Sequence, residues 1–95
     1  MIAEVRTIRG PAAQGEPSEL AQRAMKETRA ADGCEGLYVL TDSRGGDGIA
    51  ITVWRDEAAM NAMRAKEDEH IRAVRAEAPE LAIGAPKVYQ VATSL

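Results

Sequence analysis

Two short runs of aliphatic and β-branched residues occupy the middle of the chain, Leu37–Thr41 and Ile49–Trp54. Such runs are typical of β-strands. Between them, Asp42–Gly48 is rich in Gly, Asp and Ser, the residues that chain reversals favour. The pattern predicts a β-hairpin within Gly33–Asp56. Neither strand alternates between apolar and polar residues, so we expect both faces of the hairpin to be covered.

The first strand and the last one are predicted near the two ends of the sequence. Ile2–Arg9 alternates, with Glu4 and Arg6 on one mixed face that we expect at a sheet edge or beside a wet cavity. Gly10–Pro17 contains two prolines and two glycines and is predicted to be a loop. The last strand is expected at Val88, Tyr89 and Val91, after a connector over 80–86 that includes Gly84 and Pro86.

Two helices are predicted on either side of the hairpin. The first begins near Pro17, has one apolar stripe at three-to-four spacing and stops at Asp32-Gly33. The second begins after Asp56, a suitable N-cap, and ends before Pro79. One straight helix of that length exceeds the span of a seven-residue strand. We therefore expect it to overhang the sheet or to break within the charged stretch 66–69.

The element order is β-α-β-β-α-β, the split βαβ arrangement of ferredoxin-like α+β folds. At 95 residues the chain is expected to form a single domain, residues 1–95. Two helices can cover only one face of a four-stranded antiparallel sheet. The other face carries apolar hairpin residues, so we expect a second copy to pack against it, sheet to sheet, as a homodimer.

Charge and cysteine content exclude several classes of function. A net charge of −3 argues against nucleic-acid binding, which normally requires a basic face. No run approaches the roughly 20 apolar residues of a membrane span, and the N-terminal sequence lacks the layout of a signal peptide. We therefore expect a cytosolic protein. Cys34 is the one cysteine and is predicted to be a small apolar residue at the start of a strand.

Three short motifs around the hairpin carry a family resemblance. They are Gly-x-x-Gly at 33–36, Ile-Thr-Val-Trp at 51–54 and Arg-Asp-Glu-Ala-Ala-Met at 55–60. With the element order, these make the chain similar to the antibiotic biosynthesis monooxygenase family, of the dimeric α/β-barrel group. The resemblance implies a dimer whose sheets face each other and a ligand cleft between sheet and helices. Family members often carry a His where this chain has Met63.

The resemblance also implies a type of chemistry. Characterised members include cofactor-independent oxygenases of phenolic polyketides and related quinone precursors, whose substrate is itself the electron source. Such a protein need supply only a desolvated pocket, orientation and a proton acceptor. No metal or nucleotide motif is visible in this sequence, and no cofactor is expected. Haem degradation is disfavoured, because the Asn of strand 1 and the Trp of helix 2 used by that branch of the family have no counterparts here.

His70 is the candidate catalytic base. It is the only histidine, and neutral imidazole is the natural proton acceptor near pH 7. Glu67 lies three residues earlier on the same helix face and could orient it. The alternative for both residues is a solvated acidic patch beside a partly exposed histidine.

Four further residues are candidate ligand contacts. Trp54 could stack on a planar substrate, Tyr38 could donate to a bound oxygen atom, and Met63 could form a pliable wall. Arg6 is a charge within a sheet face, which must be paired or reach a wet cavity. The alternatives are core packing for Trp54 and Met63, a place in the dimer seam for Tyr38, and a surface or interface ion pair for Arg6.

The sequence fits more than one class of function. A small aromatic or apolar ligand suits an oxygenase, and it equally suits a non-catalytic binding or regulatory dimer of the same element order. A purely structural dimer without a pocket is the third interpretation. Met63 favours it, because family members often carry a His at that position. Fold by itself does not choose between these functions.

Overall fold

The secondary structure follows the predicted order, with the last strand divided in two. The computed structural model describes residues 1–10, 17–42, 44 and 47–95. Its helices and strands are β1 (Ile2–Arg9), α1 (Glu19–Arg29), β2 (Cys34–Thr41), β3 (Gly48–Trp54), α2 (Glu57–Glu77), β4 (Ala82–Ile83) and β5 (Lys87–Gln90).

All strands belong to one antiparallel sheet. The order is β2-β3-β1, and both β4 and β5 pair with the remaining side of β1. Both helices lie on one face of this sheet, with a cavity between them and the strands. The α+β ferredoxin-like fold predicted from the element order is therefore confirmed. Because β1 is central, the alternative that it lies at a sheet edge is wrong.

The segment after α2 contains the one strand that the pattern did not predict. Residues 80–86 were expected to be a connector, but β4 lies within them and pairs with Ile8 and Arg9. The Gly84 N–H also donates to the Thr7 carbonyl at 2.9 Å, which keeps the chain beside β1. Pro86 has no N–H to donate, so the pairing with β1 is interrupted there, and it resumes at β5. Val91 lies beyond β5, although its N–H still donates to the Met1 carbonyl at 3.0 Å.

Side-chain caps define where both helices begin. Ser18 Oγ accepts from the Ala21 N–H at 3.1 Å, so Pro17 precedes α1 rather than opening it. The expected cap of α2 is confirmed, because Asp56 Oδ1 accepts from the Ala59 N–H at 2.9 Å. After α1, Gly33 has φ +84°, a left-handed value that favours glycine.

Helix α2 is continuous over its 21 residues, so the expected break at 66–69 is wrong. The charged residues in that stretch have good helix propensity, and Glu67 is a buried anchor rather than a solvated residue. At 1.5 Å per residue the helix is about 32 Å long, against about 26 Å for an eight-residue strand. Its length agrees with the other expectation, an overhang.

The most enclosed side chains lie where β3 meets α2. The buried apolar residues are Ile2, Cys34, Trp54, Ala59 and Met60, and Trp54 is entirely enclosed. Cys34 is a free, buried thiol at the start of β2, as predicted. Small side chains make up much of this cluster, so its stability depends strongly on the one large residue.

The hairpin connection is partly described. Asp42 receives the Arg44 N–H on its carboxylate at 2.9 Å, and its own N–H donates to the Asp47 carbonyl at 3.3 Å, which confirms a chain reversal. Ser43, Gly45 and Gly46 of the predicted connection, and most of the loop predicted over 10–17, lie outside the described residues. Within the described part of the chain, no helix is long and apolar enough to cross a membrane.

Candidate functional site

A cavity of about 670 Å³ lies between the inner face of the sheet and the two helices. This volume is within the range of small-molecule sites. Its walls come from the first three strands, from both helices and from the segment that leads into β4. Most of the lining is apolar and includes Ile8, Ala24, Met25, Leu37, Ile71 and Val74.

Charged side chains interrupt this apolar wall where β1 faces α2. Side chains two residues apart on a strand share a face, so Glu4 and Arg6 both point from β1 towards the helices. Glu67 approaches from α2, and its Oε1 accepts from Arg6 Nε at 3.0 Å and from Arg6 Nη2 at 2.7 Å. Arg6 Nη1 also donates to the Gly84 carbonyl at 3.1 Å. The expected pairing of Arg6 is thus made inside the fold, in the cavity wall.

Of the charged residues that the structure describes, Glu4 is the most deeply buried, with only 2% of its surface exposed. Its Oε1 accepts from Trp54 Nε1 at 3.4 Å, and its Oε2 lies 2.6 Å from Arg64 Nη1. That ion pair is not aligned as a hydrogen bond, and Oε2 has no aligned donor among the described residues. Neither Trp54 nor Arg64 lines the cavity, so both contact Glu4 from behind it.

The surroundings of Glu4 favour its protonated form. Burial, and after it the neighbouring Glu67 carboxyl with its negative charge, raise the pKa of Glu4 from 4.5 to about 7. Arg64 and the Trp54 N–H act in the opposite direction, because both stabilise the carboxylate. At neutral pH the cavity therefore contains a carboxyl group able both to give and to take a proton.

His70 lies in another part of the same wall, close to α1. Its Nε2 is 3.0 Å from Glu27 Oε2, and its Nδ1 is buried with no hydrogen-bond partner among the described residues. Lys66 reaches the other oxygen of Glu27 at 3.1 Å. Hydrogen bonds from Lys66 and His70 lower the pKa of Glu27. Glu67 is engaged by Arg6 instead, so Glu27 holds the position beside the imidazole that the sequence suggested for Glu67.

Three of the six residues proposed from the sequence line the cavity: Arg6, Glu67 and His70. Trp54 is fully enclosed and reaches the cavity only through its contact with Glu4. Met63 packs against the buried cluster. Tyr38 pairs in register with Ile51 on the opposite face of the sheet and is 56% exposed. The geometry thus separates these residues into a cavity group, a core group and an outer-face residue.

Glu4 and Arg64 were not among the candidates. The sequence carried a signal for Glu4, namely a carboxylate between apolar residues on the mixed face of β1. Since that face lines the cavity, the expected alternative of a wet cavity fits the observed position. Arg64 gave no such signal, because its role depends on a contact with a residue sixty positions away. Across the described residues, no three His, Cys, Asp or Glu side chains are grouped so that they could hold a metal ion.

Comparison with known protein families gave one assignment. The sequence model described as antibiotic biosynthesis monooxygenase matches residues 1–77, which is most of the chain and includes β1 through α2. Among curated protein sequences, none matched the chain at a significant level.

Comparison with solved structures gave several relatives of the same fold. SnoaB, a cofactor-independent oxygenase from Streptomyces nogalater, superposes with a TM-score of 0.77 at 18% identity, over 99% of this chain and 95% of that one. Rv0793 from Mycobacterium tuberculosis gives 0.70 at 22% identity, over 99% and 98%. A protein from Deinococcus radiodurans gives 0.75 at 21% identity, over 100% and 96%. At these identities the similarity establishes the fold only.

Proposed function

The chain belongs to the antibiotic biosynthesis monooxygenase family, and we propose that it is a cytosolic monooxygenase that oxidises a small, flat phenolic molecule without a cofactor. The observation that carries this proposal is the cavity, whose walls are mostly apolar and whose ionisable groups are confined to a few places. Such a site suits a planar aromatic ligand with a polar substituent. The likeness to SnoaB, a cofactor-independent oxygenase, supports the same class of reaction.

The reaction balances with the ligand and dioxygen alone. For a ring methylene next to a phenol it is CH2 + O2 → C=O + H2O, in which the carbon gives up four electrons and O2 receives them. The protein must remove the hydroxyl proton so that the ring becomes electron-rich, and it must exclude bulk water. In this proposal Arg6, Glu67 and His70 contact the ligand from the cavity wall. His70 is the proton acceptor suggested by the sequence, and the buried Glu4 and Glu67 carboxyls are further acceptors in the wall.

Filling the cavity tests the proposal directly. Ala50 lies on the inner face of β3 and lines the cavity, so Ala50→Phe is expected to occupy ligand space and reduce oxygen uptake on phenolic substrates at least tenfold. Ala62→Phe, at an exposed position of α2, should leave the rate within twofold of the unsubstituted protein. The measurement is oxygen consumption with an oxygen electrode over a panel of polycyclic phenols.

Other outcomes distinguish the rival functions. Phenol binding that Ala50→Phe removes, without oxygen uptake on any phenol, would support a non-catalytic binding or regulatory dimer. Absence of both binding and uptake would contradict a ligand site in this cavity.

We further propose that the outer face of the sheet packs against a second copy of the chain. Register places Tyr38, Leu40, Ile49 and Tyr89 on the face away from the helices, and each is 39–56% exposed. An apolar surface of this kind on a small protein is typical of an interface. The family resemblance implies the same sheet-to-sheet dimer, and it would place Tyr38 in the seam.

A charge on this face is expected to break the dimer. Leu40→Glu would put two carboxylates into a two-fold interface, one from each copy, and should weaken dimerisation at least 100-fold. Val39→Glu is the matched control, because it adds the same charge to the adjacent residue on the inner face. Sedimentation should give twice the 10.2 kDa chain mass for the unsubstituted protein and for the control. Equal dimerisation in both variants would place the interface elsewhere.

A further inference from the structure

Two of the carboxyl groups that line the cavity, those of Glu4 on β1 and Glu67 on α2, lie where β1 faces α2. We propose that Glu4 and Glu67, here called the carboxyl pair, together accept the hydroxyl proton of a bound phenol, while Arg6 and Arg64 stabilise the phenolate that forms. This inference rests on the proposed function and deepens it, because it names the proton acceptor and therefore the class of ligand group bound at this place. The groups facing the pair are Arg6 on β1, Arg64 and the half-exposed Asp68 on α2, and the Trp54 N–H on β3.

The first argument is the geometry of the pair. Both residues line the cavity, and both carboxyl groups are buried, with Glu4 2% and Glu67 9% exposed. Arg6 holds Glu67 through two nitrogen atoms, so the Glu67 carboxyl cannot turn away from the pair. Trp54 and Arg64 hold Glu4 from behind. Both carboxyl groups are thus held in the cavity wall by fixed partners on three sides.

The second argument is charge balance. With both carboxyls ionised, the two negative charges are matched by the guanidinium groups of Arg6 and Arg64. On proton transfer the phenol O–H bond breaks and a carboxyl O–H bond forms, so the negative charge moves from the pair to the ligand oxygen. The net charge of the buried site does not change, and no oxidant or further reactant is needed. Burying a new charge without compensation would be costly, and this step avoids it.

The third argument separates the pair from His70. The imidazole Nε2 is committed to Glu27, and Nδ1 is buried. Protonating His70 would add a positive charge beside Glu27, whose single negative charge is already shared with the Lys66 ammonium. In contrast, protonating the pair leaves one of the two guanidinium charges uncompensated, and that charge attracts the phenolate. The carboxyl pair therefore has the better electrostatic support for the product of the transfer.

The pair also has a usable pH range. Since the pKa of Glu4 is raised to about 7, the pair is fully ionised above neutral pH and can take a proton there. Below pH 7 the pair already holds its proton and cannot accept another. Formation of bound phenolate should therefore increase as the pH rises through about 7.

The test uses 2-naphthol under anaerobic conditions, so that no oxygenation can occur. Its hydroxyl, like that of tyrosine, ionises near pH 10 in water, and its anion absorbs at longer wavelength than the neutral form. At pH 8 we expect a naphtholate band for the protein-bound naphthol. Glu4→Gln and Glu67→Gln should each reduce this band at least tenfold. Glu35→Gln, which changes an exposed carboxyl on β2, should retain it within twofold.

The outcomes separate this inference from the oxygenase proposal. A band that depends on Glu4 and Glu67, without oxygen uptake on any phenol, supports the proton acceptor and contradicts the oxygenase. Oxygen uptake that persists in Glu4→Gln, or a band lost only in His70→Ala, overturns the inference and leaves the oxygenase standing. A wild-type protein that shows no naphtholate band also overturns it. Circular dichroism establishes which variants are folded. If only one of the two glutamine variants folds, that variant alone tests the inference.

Discussion

Trp54→Ala is expected to lower the free energy of unfolding by about 3–5 kcal/mol, the usual cost of removing a large buried aromatic side chain. Among the residues that the structure describes, Trp54 is the one large side chain that is entirely enclosed. Its neighbours in the buried cluster include Cys34 and Ala59, which are too small to fill the space it would leave. Much of a small domain's stability of about 5–15 kcal/mol would be lost. Urea unfolding followed by circular dichroism measures the change.

Two companion variants show which feature of Trp54 matters. Trp54→Phe retains most of the packing but removes the N–H that contacts Glu4, and should cost only about 1–2 kcal/mol. Val88→Ala shortens a half-exposed side chain on β5 and should change stability by less than about 1 kcal/mol. If Trp54→Ala costs no more than Val88→Ala, then the cluster around β3 and α2 does not carry the stability assigned to it.

Local sequence patterns were sufficient to predict most of the architecture. The uniformly apolar hairpin, the cap at Asp56 and the stop at Gly33 each depend on neighbouring residues, and all three were found as expected. Two predictions failed because tertiary contacts decided the result. The 66–69 stretch remained helical because Glu67 is held by Arg6 from β1, and β4 formed because the chain is held against Thr7. Periodicity carries no information about either contact.

The candidate site was predictable only in part, for a similar reason. Residue type and position identified Arg6, Glu67 and His70, which all line the cavity. The meeting of Glu4 with Glu67 joins residues on β1 and α2, and it depends on the register of the sheet and the rotation of the helix. The family resemblance did not help, because its motifs lie around the hairpin rather than on β1. The mixed face of β1 was the available signal, and charge on a central strand's inner face indicates a polar cavity wall.

The stability of the protein is expected to decrease as the pH rises from about 4.5 to about 7, with Glu4 as the cause. In the unfolded chain Glu4 ionises near its ordinary value of 4.5, whereas in the folded protein its pKa is about 7. Between these two values the folded state binds more protons, so raising the pH favours unfolding. The difference between these two pKa values corresponds to a loss of at most about 3 kcal/mol in the free energy of unfolding, at 1.36 kcal/mol per pKa unit. Above pH 7 both states are ionised and the decrease stops.

Glu4→Gln should abolish this decrease, because the amide does not titrate, while Glu35→Gln should leave it intact. Urea unfolding at half-unit steps from pH 4 to 8 measures both slopes. Glu27 affects stability in the opposite direction and at lower pH. Because its pKa is lowered in the folded protein, its contribution to the free energy of unfolding is lost as the pH falls through the acid range. A stability profile that rises from pH 4.5 to 7 in the unsubstituted protein, or one that Glu4→Gln leaves unchanged, would show that the Glu4 carboxyl is ionised in the folded protein at low pH. A pair with so little affinity for a proton could not take one from a phenol, and the carboxyl pair would not be the proton acceptor.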